Sequence, residues 1–375
     1  MKLAVFSAKP YDKRFLLRAH AKNHHFHSTI ELAFHDFPLS SDTVPLAHGA
    51  DAVCVFVNDT LDRAVLEDLN CAGVRAVLLR CAGFNNVDLE AAERLGMFVA
   101  NVPSYPPEAV AEFAVALIQT LNRNTHRAYN RVREGNFDLN GLLGKTLRGR
   151  TVGIVGTGRI GIALARILRG FGCRLLAYDP FPTSAFDEFG EYADLDALLA
   201  RSDIVSLHCP LMDSTRHIID ELSLKKIKKG AMLVNTSRGG LIKTSSVIEA
   251  LKSGHLGGLA LDVYEGEGTL FYQDHSDDII QDDELMRLMT FPNVLVCGHQ
   301  AFFTEEALAE IAECTLRNFD DFIMRVPCKN SLVREGHLLV KRGSHPQPNT
   351  LRFFSTRCLD PSPGKGSKHD HGSTG

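Results

Sequence analysis

Val152 to Gly161 reads VGIVGTGRIG, and how these ten residues are read decides the fold. The apolar, β-branched run that opens the stretch has the makeup of a buried strand. The IALARILRGFG that follows it, 162–172, has the spacing of an amphipathic helix. Gly156, Gly158 and Gly161 stand in G-x-G-x-x-G register between the two, which is the pattern of a dinucleotide-binding βαβ unit. The first glycine permits a tight turn, the second lets backbone approach a pyrophosphate, and the third lets helix pack closely on strand. N–H groups and dipole at the helix start then hold the phosphates. Thr157, Arg159 and Ile160 complete the loop. The motif calls for an acid about 20 residues on, and Asp179 ends the next strand-like run, RLLAYD, 18 residues past Gly161. A carboxylate there accepts hydrogen bonds from the adenine ribose and repels a 2′-phosphate. The ten residues after it, PFPTSAFDEF, hold no Lys or Arg. The expected cofactor is therefore NAD rather than NADP.

Working outward, strands TVGIVG, RLLAYD, IVSLHC, AMLVNT, GLALDVY and NVLVCG alternate with helical patterns. Six such strands fit a doubly wound parallel sheet. A second block of the same kind precedes it, with KLAVFSA, DAVCVFV and RAVLLR as strands and RFLLRAHAKNH and DRAVLEDLNCAG as helices. The blocks meet at NVPSYPP, where Pro106 and Pro107 stop a strand but suit the first turn of a helix. One long helix, EAVAEFAVALIQTLNRNTHRAYNRVREG, is expected to follow. Near the end, EEALAEIAECTLRNFDDFIM reads as an amphipathic helix that returns to cover the first block. The expectation is an α/β protein of two doubly wound parallel-sheet domains. Residues 1–103 and 301–333 would form a discontinuous flavodoxin-like domain, with a Rossmann-type domain, 104–300, inserted in it. Residues 334–375, rich in Pro, Gly, Ser and His and carrying a net +4, read as a disordered tail.

Composition narrows the function. The chain has 375 residues, enough for two cores, and is 45% hydrophobic and 23% charged. A formal net charge of -4 offers no broad basic surface for nucleic acid. No apolar run is long enough to span a bilayer or serve as a signal peptide. Nine scattered cysteines without a C-x-x-C fit neither a zinc site nor a disulfide scaffold. The expectation is a cytoplasmic protein without a metal.

Ligands of open α/β sheets sit at the carboxyl ends of strands. VNTSRGG puts Arg238 past one strand, LDVYEGEG puts Asp262, Glu265 and Glu267 past the next, and CGHQAF puts His299 past the last. Hydride transfer to a 2-keto acid needs an anchored carboxylate, a polarised carbonyl and a proton for the new alkoxide. An arginine's planar fork meets the first two needs, and histidine is the natural proton donor near neutral pH.

RCAGFNNVD, NVPSYPPEAVAEFAV, LNRNTHRAY, LHCPL, VNTSRG, LDVYE, IQDD and GHQAF together resemble the D-2-hydroxyacid dehydrogenase family, and within it the fermentative D-lactate dehydrogenases. The resemblance runs from Met1 to about Val333. It implies that Arg238 binds the substrate carboxylate and carbonyl, that His299 gives the proton and that Glu267 is its acidic partner. The backbone of Gly83 and Phe84 would receive the carboxylate, and Tyr105 and Phe302 would line the pocket. It places His208, Pro210 and Thr236 along the cofactor, and Asp262 near the nicotinamide amide and Arg238. Glu265 has no implied role and reads as solvated loop. Arg80 and Asn85 read as loop shaping, and Cys81 as packing. The implied activity is reversible NADH-dependent reduction of pyruvate to D-lactate by a homodimer or homotetramer. Two alternatives stay open: another small D-2-hydroxy acid as substrate, or a non-enzymatic NAD-sensing protein like the corepressors of the same superfamily.

Overall fold

The computed structural model describes residues 1–22 and 30–334; the expected tail beyond Arg334 lies outside them. The first sheet is built from β1 (Lys2–Val5), β2 (Glu31–Phe34), β3 (Ala52–Val55), β4 (Ala76–Leu79) and β5 (Phe98–Ala100), with α1 (Pro10–Lys22), α2 (Arg63–Cys71) and α3 (Leu89–Arg94) between strands. All its strands are parallel, in the order β2-β1-β3-β4-β5, the flavodoxin-like order. β3 and β4 are buried along their whole length, so they read as unbroken apolar runs rather than alternating ones. Asp62 and Asp88 cap α2 and α3 by accepting from the N–H of Val65 and Ala91.

α4 (Pro107–Arg123) begins at the proline pair and ends at Asn124, whose φ is 53°. Asn tolerates this left-handed conformation, and the chain restarts as α5 (Thr125–Arg133). The single long helix read from the sequence is thus two. α4 buries its apolar face against α6 (Arg159–Gly170), next to β6 (Thr151–Val155).

The second sheet continues with β7 (Arg174–Tyr178), β8 (Glu191–Tyr192), α7 (Leu195–Arg201), β9 (Ile204–Leu207), α8 (Glu221–Lys226), β10 (Met232–Asn235), α9 (Thr244–Lys252), β11 (Gly258–Leu261), α10 (Asp283–Met289) and β12 (Val294–Val296). Its order is β12-β11-β10-β9-β6-β7-β8, all parallel. It holds seven strands where the sequence reading has six: β8, two residues at the edge, was not foreseen. The direction of winding switches between β6 and β9, where ligands of such sheets bind.

α11 (Glu305–Met324), capped by Thr304, returns to the first sheet. Leu308, Ile311, Leu316 and Phe319 share one core with Leu3, Val5, Phe15 and Phe98. The crossing is pinned by buried asparagines. Asn318 donates to the Asn101 carbonyl at 2.8 Å and accepts from Asn330 at 2.8 Å, and Asn101 in turn donates to the Ala82 carbonyl at 2.8 Å. Leu332 N–H then bonds Val99 O at 2.8 Å, and Ser331 pairs antiparallel with Ala100, which covers the β5 edge. No helix among the described residues is long and apolar enough to cross a membrane.

Candidate active site

The glycine loop has the shape its sequence dictates. Gly156 has φ +100°, and a Cβ there would press on the backbone of His208 and Cys209 at 2.7 Å, where the end of β9 passes. A Cβ on Gly161 would strike the Gly156 carbonyl. Gly158 faces open space and starts α6 without a side-chain cap, so the first N–H groups of α6 are left for an anion. Arg159 and Gly158 are exposed, while Ile160 is half-buried against the core beneath. Asp179 accepts from Thr157 N–H at 2.7 Å, Thr157 Oγ1 at 3.1 Å and Phe181 N–H at 2.9 Å. Tyr192, on the unforeseen strand β8, donates to Thr157 Oγ1 at 2.9 Å. At the end of β10 the Thr236 hydroxyl is buried without a partner. An uncapped helix start, an open glycine, a carboxylate at the β7 end and an orphaned hydroxyl fit the phosphates and ribose of NAD. Burial pushes the His208 imidazole down to about 4, so it is neutral. Its Nε2 meets Ser206 Oγ at 2.8 Å, and Pro210 beyond it is exposed.

A cavity of about 190 Å³ opens between the strand ends of the two sheets. Arg238, Glu267 and His299 line it together with Gly83, Tyr105 and Phe302. His299 Nδ1 meets Glu267 Oε1 at 2.8 Å, with both side chains about one-fifth exposed. The other Glu267 oxygen accepts Tyr264 N–H at 2.8 Å. The carboxylate is thus fixed by backbone, and Nε2 is the imidazole nitrogen left for a ligand. Arg238 donates to the Ser237 carbonyl at 2.7 Å, and its own carbonyl accepts from Asn235 Nδ2 at 2.8 Å. Its Nη2 lies 3.3 Å from the place a Cβ on Gly83 would take. Glycine there is what lets the guanidinium reach the first sheet's loop. Among the described residues, the N–H groups of Gly83 and Phe84 have no acceptor.

The Phe84 side chain is 39% exposed and is not part of the cavity wall, so its backbone alone is placed for the expected role. Asp262 makes no hydrogen bond to Arg238. It is fully buried, and its oxygens accept Gln300 N–H at 2.8 Å and Ala301 N–H at 2.9 Å, so what it holds is the loop that carries His299. Burial raises its pKa, and these two N–H groups pull the other way. Glu265 is an exposed loop residue that in addition accepts from Arg216 at 2.9 Å and faces His217 at 3.0 Å, tying two loops of the second sheet together.

The sequence reading missed Phe56 and Tyr272, which with Val57 and Ile311 extend the apolar wall. Phe56 stacks edge-on against Tyr272 at 5.1 Å and lies 6.1 Å from Phe302, and Tyr105 lies 6.3 Å from Phe302. Asp59, 1% exposed, accepts from the N–H groups of Phe56 and Leu39 and from the Ser7 hydroxyl, which fixes the turn bearing Phe56. Arg80 is buried, donates to Asp12 and to the Ser7 carbonyl, and sits 5.1 Å from the Phe56 ring. It also lines the cavity, and its Nη1 is buried without a partner. Burial pushes the Cys81 thiol up to about 12, in keeping with packing rather than nucleophilic chemistry. Among the described residues no group of three or more His, Cys, Asp or Glu is placed to hold a metal ion.

Known proteins resemble this chain in sequence and fold. Residues 115–301 match the family described as D-isomer specific 2-hydroxyacid dehydrogenase, NAD binding domain. The chain is 67% identical over 346 residues to 2-hydroxyacid dehydrogenase A of Aspergillus oryzae, covering 92% of this chain and 99% of that one. It is 70% identical over 334 residues to the D-lactate dehydrogenase kk1H of Curvularia clavata, covering 89% and 96%. The apo structure of D-lactate dehydrogenase from Escherichia coli superposes with a TM-score of 0.81 at 49% identity, covering 89% of this chain and 100% of that one.

Proposed function

Since this chain belongs to the D-isomer specific 2-hydroxyacid dehydrogenases, an NAD-dependent enzyme family, we propose that its reaction is the reversible reduction of pyruvate to D-lactate. The observation that carries the reading is the His299–Glu267 pair at 2.8 Å in one cavity with Arg238. Arg238 and the N–H groups of Gly83 and Phe84 bind the substrate carboxylate. Arg238 also faces the carbonyl and stabilises the charge that grows on its oxygen. His299 gives the proton on Nε2 to the alkoxide, while Glu267, facing Nδ1, fixes the orientation of the ring. NAD, held by Gly156, Thr157, Gly158, Arg159, Ile160, Gly161, Asp179, His208, Pro210, Thr236 and Asp262, supplies the hydride in its reduced form. Of these, Asp262 serves through the loop it anchors.

A cavity of about 190 Å³, walled by Phe56, Tyr105, Tyr272 and Phe302, suits a methyl side group. Relatives named D-lactate dehydrogenase support the same choice. We assign the substrate-binding part to residues 1–103 with 301–333 and the NAD-binding part to 104–300, a division the shared core of α11 and β1 supports. A homodimer or homotetramer in the cytoplasm completes the proposal. Its contact surface is supported by α5, which buries no residue, and by Phe137, Leu139 and Leu143, which are 74%, 79% and 95% exposed. A kinetic panel of pyruvate, 2-ketobutyrate, hydroxypyruvate, glyoxylate and 2-ketoisocaproate with NADH tests the substrate. The highest kcat/KM is expected for pyruvate, and preference for another keto acid replaces D-lactate with that acid's product.

A further inference from the structure

His299 stands in a backbone conformation that side chains rarely adopt, with φ +53°. Such a residue persists where its surroundings over-determine it. Asp262 supplies most of the hold: its carbonyl accepts His299 N–H at 2.7 Å, and its carboxylate accepts the next two N–H groups. The His299 carbonyl is held by a different residue. Tyr272 donates its hydroxyl to that oxygen at 3.0 Å.

Tyr272 itself has φ +67°, in a segment that leaves the second sheet and crosses to the first. Asn58 donates to the neighbouring Phe271 carbonyl at 3.2 Å, and the Tyr272 ring packs edge-on against Phe56 at 5.1 Å. The same ring lies 5.9 Å from the His299 ring. One side chain therefore touches the backbone of the histidine, the ring of the histidine and the apolar wall of the cavity. Burial raises its phenol well above the usual range, and the Glu267 and Asp262 carboxylates act in the same sense. It stays a neutral hydrogen-bond donor.

We propose that Tyr272 is a positioning residue for the proton donor and a determinant of side-group size. Its hydroxyl keeps the His299 peptide in the left-handed turn, which keeps Nδ1 on Glu267 and Nε2 toward the keto acid. Its ring, seated on Phe56, limits the room beside the substrate's side group. The inference rests on His299 as proton donor.

Three variants test it, with steady-state reduction of pyruvate and NADH affinity by fluorescence as readouts. Tyr272→Phe keeps the ring and removes the hydroxyl. Its kcat is expected to fall roughly fivefold to tenfold, the loss of one hydrogen bond. KM for pyruvate and NADH affinity should stay within about twofold, a split that a general loosening of the fold would not give. Tyr272→Leu should in addition raise the rate on 2-ketobutyrate relative to pyruvate. His299→Gln should abolish turnover. If His299→Gln stays active, the proton-donor reading itself fails. If it is inactive while Tyr272→Phe keeps the original kcat, or loses kcat and KM together, the positioning role alone is overturned. Unchanged substrate preference in Tyr272→Leu overturns the size role.

Discussion

Glu267 shows how one carboxylate is set apart from two neighbours six residues or fewer away. Asp262 is fully buried and spends both oxygens on backbone N–H groups. Glu265 turns outward to Arg216 and His217. Only Glu267 reaches the cavity, with one oxygen on Tyr264 N–H and the other on His299. Glu267 thus holds the ring with Nε2 facing the cavity. Glu267→Gln removes the charge and keeps the shape, so kcat for pyruvate reduction should fall roughly tenfold while KM for pyruvate stays within about twofold. An unchanged kcat would show that the charge of Glu267 has no part in the proton step. Sequence spacing separates these acids only in part. It picks out Glu267 by its place between Arg238 and His299, but the partners of Asp262 and Glu265 are set by loops far along the chain.

Among the elements, the long apolar strands and the helices between them were legible because burial on both faces writes an unbroken run of Val, Ile, Leu and Ala. Two edge strands, β2 and β8, carry no such signal. β2 is exposed or half-buried throughout, and β8 is two residues long. The break between α4 and α5 rests on one residue, Asn124, whose left-handed backbone leaves no trace in the apolar spacing. Phe56 and Tyr272 were missed for a third reason. An aromatic residue after a strand is usually core, and what makes these two a cavity wall is the approach of one sheet's loops to the other's. The crossing between the sheets depends on polar packing. Asn318→Ala leaves the Asn101 carbonyl without its partner and takes from the Asn330 amide one of its two acceptors, the other being Cys314 Sγ, in a buried site. It should cost roughly 2 kcal/mol or more, read as a lower midpoint in urea unfolding. An unchanged midpoint would mean that the apolar contacts of α11 hold the crossing by themselves.

At the scale of the whole molecule, two sheets of the same kind face each other with their carboxyl ends together. The proposed reaction is divided between them: the carboxylate's backbone donors would come from the first sheet, and the arginine, acid and histidine from the second. Closing this cleft excludes water and aligns donor with acceptor. Phe137, Leu139 and Leu143 stand out from the body and are the proposed subunit contact. Phe137→Glu with Leu143→Glu should lower the mass measured by light scattering to that of a monomer, and an unchanged oligomer would move the contact elsewhere. The central claim is the reaction itself. The most direct test supplies purified protein with NADH and pyruvate, follows NADH consumption, and resolves the product by chiral chromatography. The account predicts one D-lactate formed for each NADH oxidised. Formation of L-lactate, or tight NADH binding with no turnover on any 2-keto acid, would contradict it.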